Sequence, residues 1–184
     1  LTTPEGKQTL MVGKKAASGY YAENSALNPM FTLDESSVSQ FQKTSSDFRD
    51  KNLFSWDMFD VKSFEVTTPK GHWAFEQNKN AWKETAPAAK AASSDDVSAF
   101  LSALRAVQAA SFPAANPGEM GKFGFNSPAY TLRVTFGAKN QTQEVDIAKA
   151  GGHVYARRAA DPLPSELSAA TFKSVEDAFQ KISR

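Results

Sequence analysis

The sequence predicts an α+β protein, in which antiparallel sheets are each covered by one helix and a strand-strand-strand-helix unit recurs in three consecutive copies. Three observations predict this class: helix-like apolar stripes with a common spacing, strand-like alternation ahead of each stripe, and an ordinary globular composition. The chain has 184 residues, of which 41% are hydrophobic and 22% are charged. Because a chain of this length buries roughly 70% of its unfolded surface, we expect folded domains instead of a disordered or fibrous chain.

Three helices are predicted from mostly apolar residues that recur at positions i, i+3, i+7 and i+10, a spacing that places them on one helix face. The three stripes are Val38, Phe41, Ser45 and Phe48; Val97, Phe100, Leu104 and Val107; and Phe172, Val175, Phe179 and Ile182. Each stripe follows residues whose side chains can cap a helix N-terminus. The candidate caps are Asp34 or Ser36, Ser93 or Ser94, and Ser165 or Ser168.

Short runs of period-two alternation precede each helix, as half-buried antiparallel strands require. The clearest run covers residues 130–137, where every second side chain from Tyr130 to Phe136 is apolar. The predicted strands are 9–12, 20–23 and 30–33 in the first unit, 61–67, 72–77 and 81–85 in the second, and 130–137, 143–147 and 153–157 in the third. An opening strand of the first unit is expected at or before Leu1, so we expect that the chain was cut at this point.

The unit boundaries follow from this pattern. We predict a first unit at 1–52, a second at 53–108, a linker at 109–127 and a third unit at 128–184. The linker is predicted from its prolines and glycines, which favour a flexible connector. Gly118 and Gly121 have two residues between them, whereas a phosphate-binding loop has four followed by Lys and Ser or Thr, so that motif is absent.

The charge balance and the lack of cysteine exclude several classes of function. Twenty-one basic and 20 acidic side chains give a net charge of +1, so no basic field is available to bind a nucleic acid backbone. The chain has no cysteine, which excludes disulfides, a thiolate nucleophile and cysteine-ligated metals.

Histidine offers little support for a catalytic or metal site. The only two are His72 and His153, and neither has a second ligand at helical spacing. We therefore predict no catalytic residue, no metal and no cofactor. A hydrolase stays an alternative, and it requires a cleft in which one of these histidines meets a carboxylate within about 3 Å.

Aromatic residues are the candidate partner-binding residues. Phe54, Trp56 and Phe59 crowd a short segment that forms either a hydrophobic joint between two units or an exposed docking patch. Trp73 and Trp82 lie on neighbouring predicted strands. Facing inward they are core residues, and facing outward they form a stacking platform for another protein or for sugar rings.

The order of several short motifs is similar to that of a known family. The motifs are Phe48-Arg49-Asp50-Lys51-Asn52-Leu53-Phe54, a strand at 61–66, Trp82 followed by Pro87, and Asp96-Val97 ahead of Phe100 and Leu104. With these motifs the chain resembles the family called domain of unknown function 4340.

The resemblance implies a location and a kind of partner. Members of the family are bacterial proteins with an N-terminal transmembrane helix and an extracytoplasmic body, sometimes found with gliding-motility or ABC-transport components. We therefore expect a non-enzymatic extracytoplasmic binding or scaffold module, with a protein partner and with membrane contact only through an anchor ahead of Leu1. A carbohydrate-binding module that uses Trp73 or Trp82 is the second expectation.

Overall fold

The computed structural model describes residues 2–3, 6–27, 29–79 and 81–184. The predicted opening strand at Leu1 and the residue Asn80 of a predicted turn lie outside the described residues. The chain divides into two compact units, Leu1–Arg49 and Asp50–Arg184, and each is described by itself.

The first unit contains two small antiparallel sheets and one short helix. One sheet pairs β1 (Thr2–Thr3) with β2 (Gly6–Lys7), and the other has the order β3 (Leu10–Lys15), β4 (Tyr20–Asn24) and β5 (Phe31–Leu33). The helix α1 covers Glu35–Phe41.

The first predicted helix is shorter in the structure than its apolar stripe. Asp34, one of its two candidate caps, accepts a hydrogen bond from the backbone N–H of Ser37 and so caps α1. The helix ends at Phe41, and a separate 3₁₀ turn covers Ser45–Phe48. The Thr44 hydroxyl donates to Asp47 Oδ2 at 2.8 Å, and this pair begins the 3₁₀ turn. The residues of the predicted stripe are therefore divided between two elements, and both Phe41 and Phe48 are exposed.

The second unit is built on one antiparallel sheet of eight strands. Its first four strands and helix are β6 (Val61–Thr68), β7 (Gly71–Asn78), β8 (Ala81–Ala86), β9 (Lys90–Ala91) and α2 (Ser94–Arg105). The next are β10 (Tyr130–Phe136), β11 (Gln141–Ala150), β12 (His153–Arg158), β13 (Asp161–Leu167) and α3 (Ala169–Ile182). The strand order is β13-β12-β11-β10-β6-β7-β8-β9.

The order of this sheet has a local two-fold arrangement. The strands β6 and β10 pair antiparallel at its centre, where Glu65 lies opposite Arg133. Each then leads outward through three further strands to its own helix. The α+β class with antiparallel sheets is therefore confirmed, whereas the interpretation of the whole chain as three equivalent units stays a prediction.

Both helices contribute to one core on the inner face of the sheet. Phe64 and Phe75 stack with ring centroids 4.7 Å apart. Phe100 of α2 lies 5.4 Å from Phe64 and 5.9 Å from Phe179 of α3, so the two helices and the sheet share one aromatic cluster. None of the helices formed by the described residues has the length and the hydropathy needed to cross a membrane.

Part of the predicted linker packs on the outer face of the sheet. A 3₁₀ helix covers Pro117–Phe123, and Met120 and Phe125 are buried against Ala148 of β11. Because Ile147 belongs to the inner core and successive residues of a strand point to opposite faces, Ala148 lies on the outer face. This stretch is therefore folded onto the sheet, unlike the flexible connector expected from its prolines and glycines.

Candidate functional site

The structure separates the five predicted partner-binding residues. Phe54, Trp56 and Trp82 are buried core residues, so their side chains present almost no surface. Phe59 is 96% exposed and precedes β6. Trp73 is half-buried, because one part of the ring packs against the core while the rest is accessible. Of the five, Phe59 and Trp73 are thus available to a partner.

Trp73 borders a groove on the inner side of the sheet. The groove has a volume of about 400 Å³ and lies between the turn that joins β6 to β7, the start of β10 and the C-terminal half of α3. Its lining includes Lys70, Trp73, Tyr130, Lys149, Glu176 and Gln180. We refer to it as the Trp73 groove.

Three aromatic rings form the apolar wall of the Trp73 groove. Trp73 meets Phe179 edge to face, with ring centroids 5.2 Å apart, and Tyr130 meets the same phenylalanine at 5.9 Å. Trp73 faces inward because it pairs with Val66, whose side chain belongs to the core. A Cβ on Gly71 would lie 3.2 Å from Cη2 of Trp73, so glycine allows the indole ring to lie against the turn.

A charged pair lies beside these rings. Lys149 Nζ donates to Glu176 Oε1 at 2.9 Å, and the Tyr130 hydroxyl donates to the same oxygen at 3.5 Å. Burial, followed by the charge of Glu176, raises the pKa of Tyr130 above its ordinary value of 10.0. At neutral pH the tyrosine is therefore protonated and acts as a donor. The Lys149 Nζ atom also lies 4.6 Å from the ring centre of Phe172, within the range of a cation–π contact.

The residues that line the groove offer a ligand both apolar surfaces and hydrogen-bonding atoms. The carboxylate of Glu176 is paired with the ammonium of Lys149, so its charge is balanced within the groove. Aromatic walls with a few fixed donors and acceptors are typical of sites that receive an apolar side chain or a sugar ring.

The two histidines lie away from the Trp73 groove. His72 is exposed, and its Nδ1 lies 3.0 Å from the hydroxyl of Thr67 on the neighbouring strand. His153 Nδ1 lies 2.7 Å from Glu166 Oε1, and Ser111 donates to the other carboxylate oxygen at 2.7 Å. The bond from Ser111, followed by the bond to His153, lowers the pKa of Glu166 below its ordinary value.

A hydrolase requires a cleft in which a histidine lies within about 3 Å of a carboxylate. The His153–Glu166 pair meets the distance condition only. The distance is within 3 Å, but the side chain of His153 is 59% exposed, and neither residue lines the Trp73 groove. Within the described part of the chain, no group of three or more histidines and carboxylates is placed to hold a metal ion.

Sequence patterns did not single out several residues of the Trp73 groove. Phe179 was visible as a member of the third helix stripe and Tyr130 as the start of an alternating strand. Neither pattern shows that these two residues line one groove with Trp73, because that arrangement depends on β6 pairing with β10. Lys149 and Glu176 had no sequence signal, since single charged residues are common on strands and helices.

Comparisons with known proteins identify a family and no characterised relative. No curated protein and no solved structure matches the sequence or the fold of this chain. The family model described as "Domain of unknown function (DUF4340)" matches residues 1–113 and, a second time, residues 82–179. The two matches together span nearly the whole chain, and the protein therefore belongs to the DUF4340 family.

Proposed function

We propose that this chain is a non-enzymatic binding or scaffold module that recognises a partner protein through the Trp73 groove. The observation that carries the proposal is the accessible ring of Trp73, set beside Tyr130 and Phe179 in a cavity of about 400 Å³. Ligand sites in proteins typically have volumes of about 300 to 1,000 Å³, and tryptophan and tyrosine are enriched at interfaces.

The location and partner in this proposal come from the family resemblance. We propose that the chain belongs to a membrane-anchored, extracytoplasmic protein with an accessory role in a transport or gliding-motility complex. No cofactor and no nucleic acid are part of the proposal. The near-zero net charge supports the exclusion of nucleic acid, because non-specific binding to a phosphate backbone depends on a basic surface.

Site-specific photo-crosslinking tests the proposal. A photoreactive amino acid replaces Gln180 at the rim of the groove, in cells that naturally make the protein. The matched control carries it at Lys83, which is exposed on β8 between two buried neighbours and so lies on the outer face. We expect one partner protein to be captured from position 180 and not from position 83.

The captured protein is then purified and its affinity is measured directly. Trp73→Ala is expected to weaken binding by about tenfold or more, since it removes an accessible aromatic ring from the groove. Phe59→Ala serves as the matched aromatic control and is expected to leave the affinity unchanged. Equal capture from both positions, or an affinity that is unaffected by Trp73→Ala, would contradict the proposal.

A carbohydrate ligand is the second candidate, because Trp73 and Tyr130 also provide rings on which a sugar can stack. Titration of the intact chain with glycans, followed by tryptophan fluorescence, separates the two candidates. A saturable change that Trp73→Phe alters would favour the carbohydrate. If glycans leave the tryptophan fluorescence unchanged and the chain binds the captured protein, a protein ligand is favoured.

A further inference from the structure

The two-fold arrangement of the sheet gives the Trp73 groove a counterpart in the same unit. Glu65 of β6 lies opposite Arg133 of β10 at the centre of the sheet. The next residue along β6 is Val66, and the next residue along β10 is Val134. Val66 pairs with Trp73, and Val134 pairs with Gln143. Trp73 and Gln143 therefore hold equivalent positions on the second strand of each half.

The helices match in the same way. Phe179 is the third residue of the apolar stripe of α3, and Leu104 is the third residue of the stripe of α2. The positions of Trp73 and Phe179 therefore correspond to those of Gln143 and Leu104. We call the inner face around Gln143 and Leu104 the counterpart surface.

The chain's own segment 53–56 covers the counterpart surface. The backbone N–H of Ser55 donates to Gln143 Oε1 at 3.0 Å, and Gln143 Nε2 donates to the hydroxyl of Ser55 at 2.6 Å. Leu53 donates its backbone N–H to the carbonyl of Val107, just after α2. The side chains of Leu53, Phe54 and Trp56 are buried in the same core cluster as Leu104.

The route of the chain explains why the Trp73 groove is open. The segment before β6 runs over the inner face, where it fills the counterpart surface. The segment before β10 approaches from the outer face, where Met120 and Phe125 pack against Ala148. Among the described residues, therefore, no segment ahead of β10 covers the Trp73 groove in the way that residues 53–56 cover the counterpart surface.

From this equivalence we infer that the Trp73 groove accepts an extended polypeptide segment of the partner, laid beside the C-terminal half of α3 as residues 53–56 lie beside α2. This inference rests on the proposed function and names the kind of ligand. The segment carries closely spaced large apolar side chains, like those of Leu53, Phe54 and Trp56, which pack on Trp73 and Phe179. Its backbone is free to bond with Gln180 and Lys70 at the rim.

Fluorine NMR of the intact chain tests this inference. The chain has three tryptophans, so labelling with 5-fluorotryptophan gives three signals, which Trp→Phe variants assign. The probe is an unlabelled synthetic peptide of residues 51–60. We expect a saturable shift of the Trp73 signal, with the Trp56 and Trp82 signals unchanged because both rings are buried.

Two controls sharpen the experiment. A peptide with alanine in place of Leu53, Phe54 and Trp56 should bind about tenfold or more weakly, since the apolar side chains provide most of the contact. In the chain, Gln180→Tyr places a bulky ring at the rim of the groove and should abolish the shift.

The outcomes separate this inference from the proposed function. A Trp73 signal that does not move at about 1 mM peptide would overturn the inference. A glycan that moves the signal where the peptide does not would overturn it as well. If photo-crosslinking from position 180 still captures a partner, the proposed function survives and only the extended-peptide mode fails.

Discussion

The indole ring of Trp73 meets the phenyl ring of Phe179 edge to face, with centroids 5.2 Å apart and planes at 88°. Trp73 belongs to β7 in one half of the sheet, and Phe179 belongs to the helix of the other half. The contact therefore joins the two halves and forms the wall of the groove at the same time.

Substitution of Trp73 should show how much this ring contact contributes to stability. Trp73→Ala is expected to lower the free energy of unfolding by about 2 kcal/mol, less than for a fully buried tryptophan because part of the ring is exposed. Trp73→Phe keeps an aromatic contact with Phe179 and should cost about 1 kcal/mol. Urea unfolding followed by circular dichroism measures both values, and equal values for the two variants would show that the ring contact contributes nothing.

Phe100 is the central residue of the shared aromatic core. It is fully buried, and its ring centroid lies 5.4 Å from that of Phe64 and 5.9 Å from that of Phe179. Phe100→Ala should therefore lower the free energy of unfolding by about 3 to 5 kcal/mol. Phe59→Ala removes the same side chain from a site that is 96% exposed and should change it by less than about 0.5 kcal/mol. A similar loss for both variants would contradict the described core.

Gly124 should be needed for the packing of the 117–125 segment. Its φ is +83°, and a Cβ at this position would lie 2.9 Å from the carbonyl oxygen of Lys149. Gly124→Ala should therefore destabilise the chain by about 1 to 3 kcal/mol. Gly118→Ala is the matched control, since a Cβ at that position would meet nothing within 4 Å beyond its chain neighbours, and thermal unfolding should show little change. Tolerance of both substitutions would mean that the segment does not pack as described.

Glu166 should make stability depend on pH in the acid range. Its pKa in the folded chain is lowered from 4.5 by the bond from Ser111 and then by the bond to His153. A lowered folded-state pKa contributes stability that is present above the unfolded-state value and is lost as the pH falls through the folded-state value. Glu166→Gln should therefore reduce the free energy of unfolding near neutral pH, and the difference from the original chain should shrink below pH 4.5.

Ser111→Ala provides the control for this pH effect. It removes the bond that lowers the pKa of Glu166 most, so Glu166→Gln should have a smaller effect in that background. Urea unfolding at a series of pH values compares the original chain, the two single variants and the double variant. A difference between the original chain and the Glu166→Gln variant that grows as the pH falls would contradict the assigned direction of the pKa shift.

Local patterns predicted most elements of the second unit. The apolar stripes that begin at Val97 and Phe172 became α2 and α3, with Ser93 and Ser168 as the observed caps. The strand β13 was missed because Pro162 and Pro164 argue against a strand in the sequence. They are tolerated because β13 lies at the edge of the sheet, where a backbone N–H is not required at each residue.

The groove itself could not be predicted, for a reason that the tryptophans illustrate. Trp73 and Trp82 both lie on inward faces of neighbouring strands, and the sequence pattern does not distinguish them. Trp82 is buried against Phe64, with centroids 5.4 Å apart, whereas Trp73 lies at the end of α3 beside an open cavity. Their difference in exposure depends on how the two halves of the sheet join. The two halves join by the pairing of β6 with β10, which local sequence patterns do not predict.

Hydrogen–deuterium exchange of the intact chain, with and without the partner captured from position 180, should show where the partner binds. We expect added protection in the C-terminal half of α3, around Phe179, and in the turn that precedes Trp73, with exchange elsewhere in the second unit unchanged. Protection confined to the segment around Phe59, or to the outer face around His153, would show that the partner binds another surface and that the Trp73 groove is not its site.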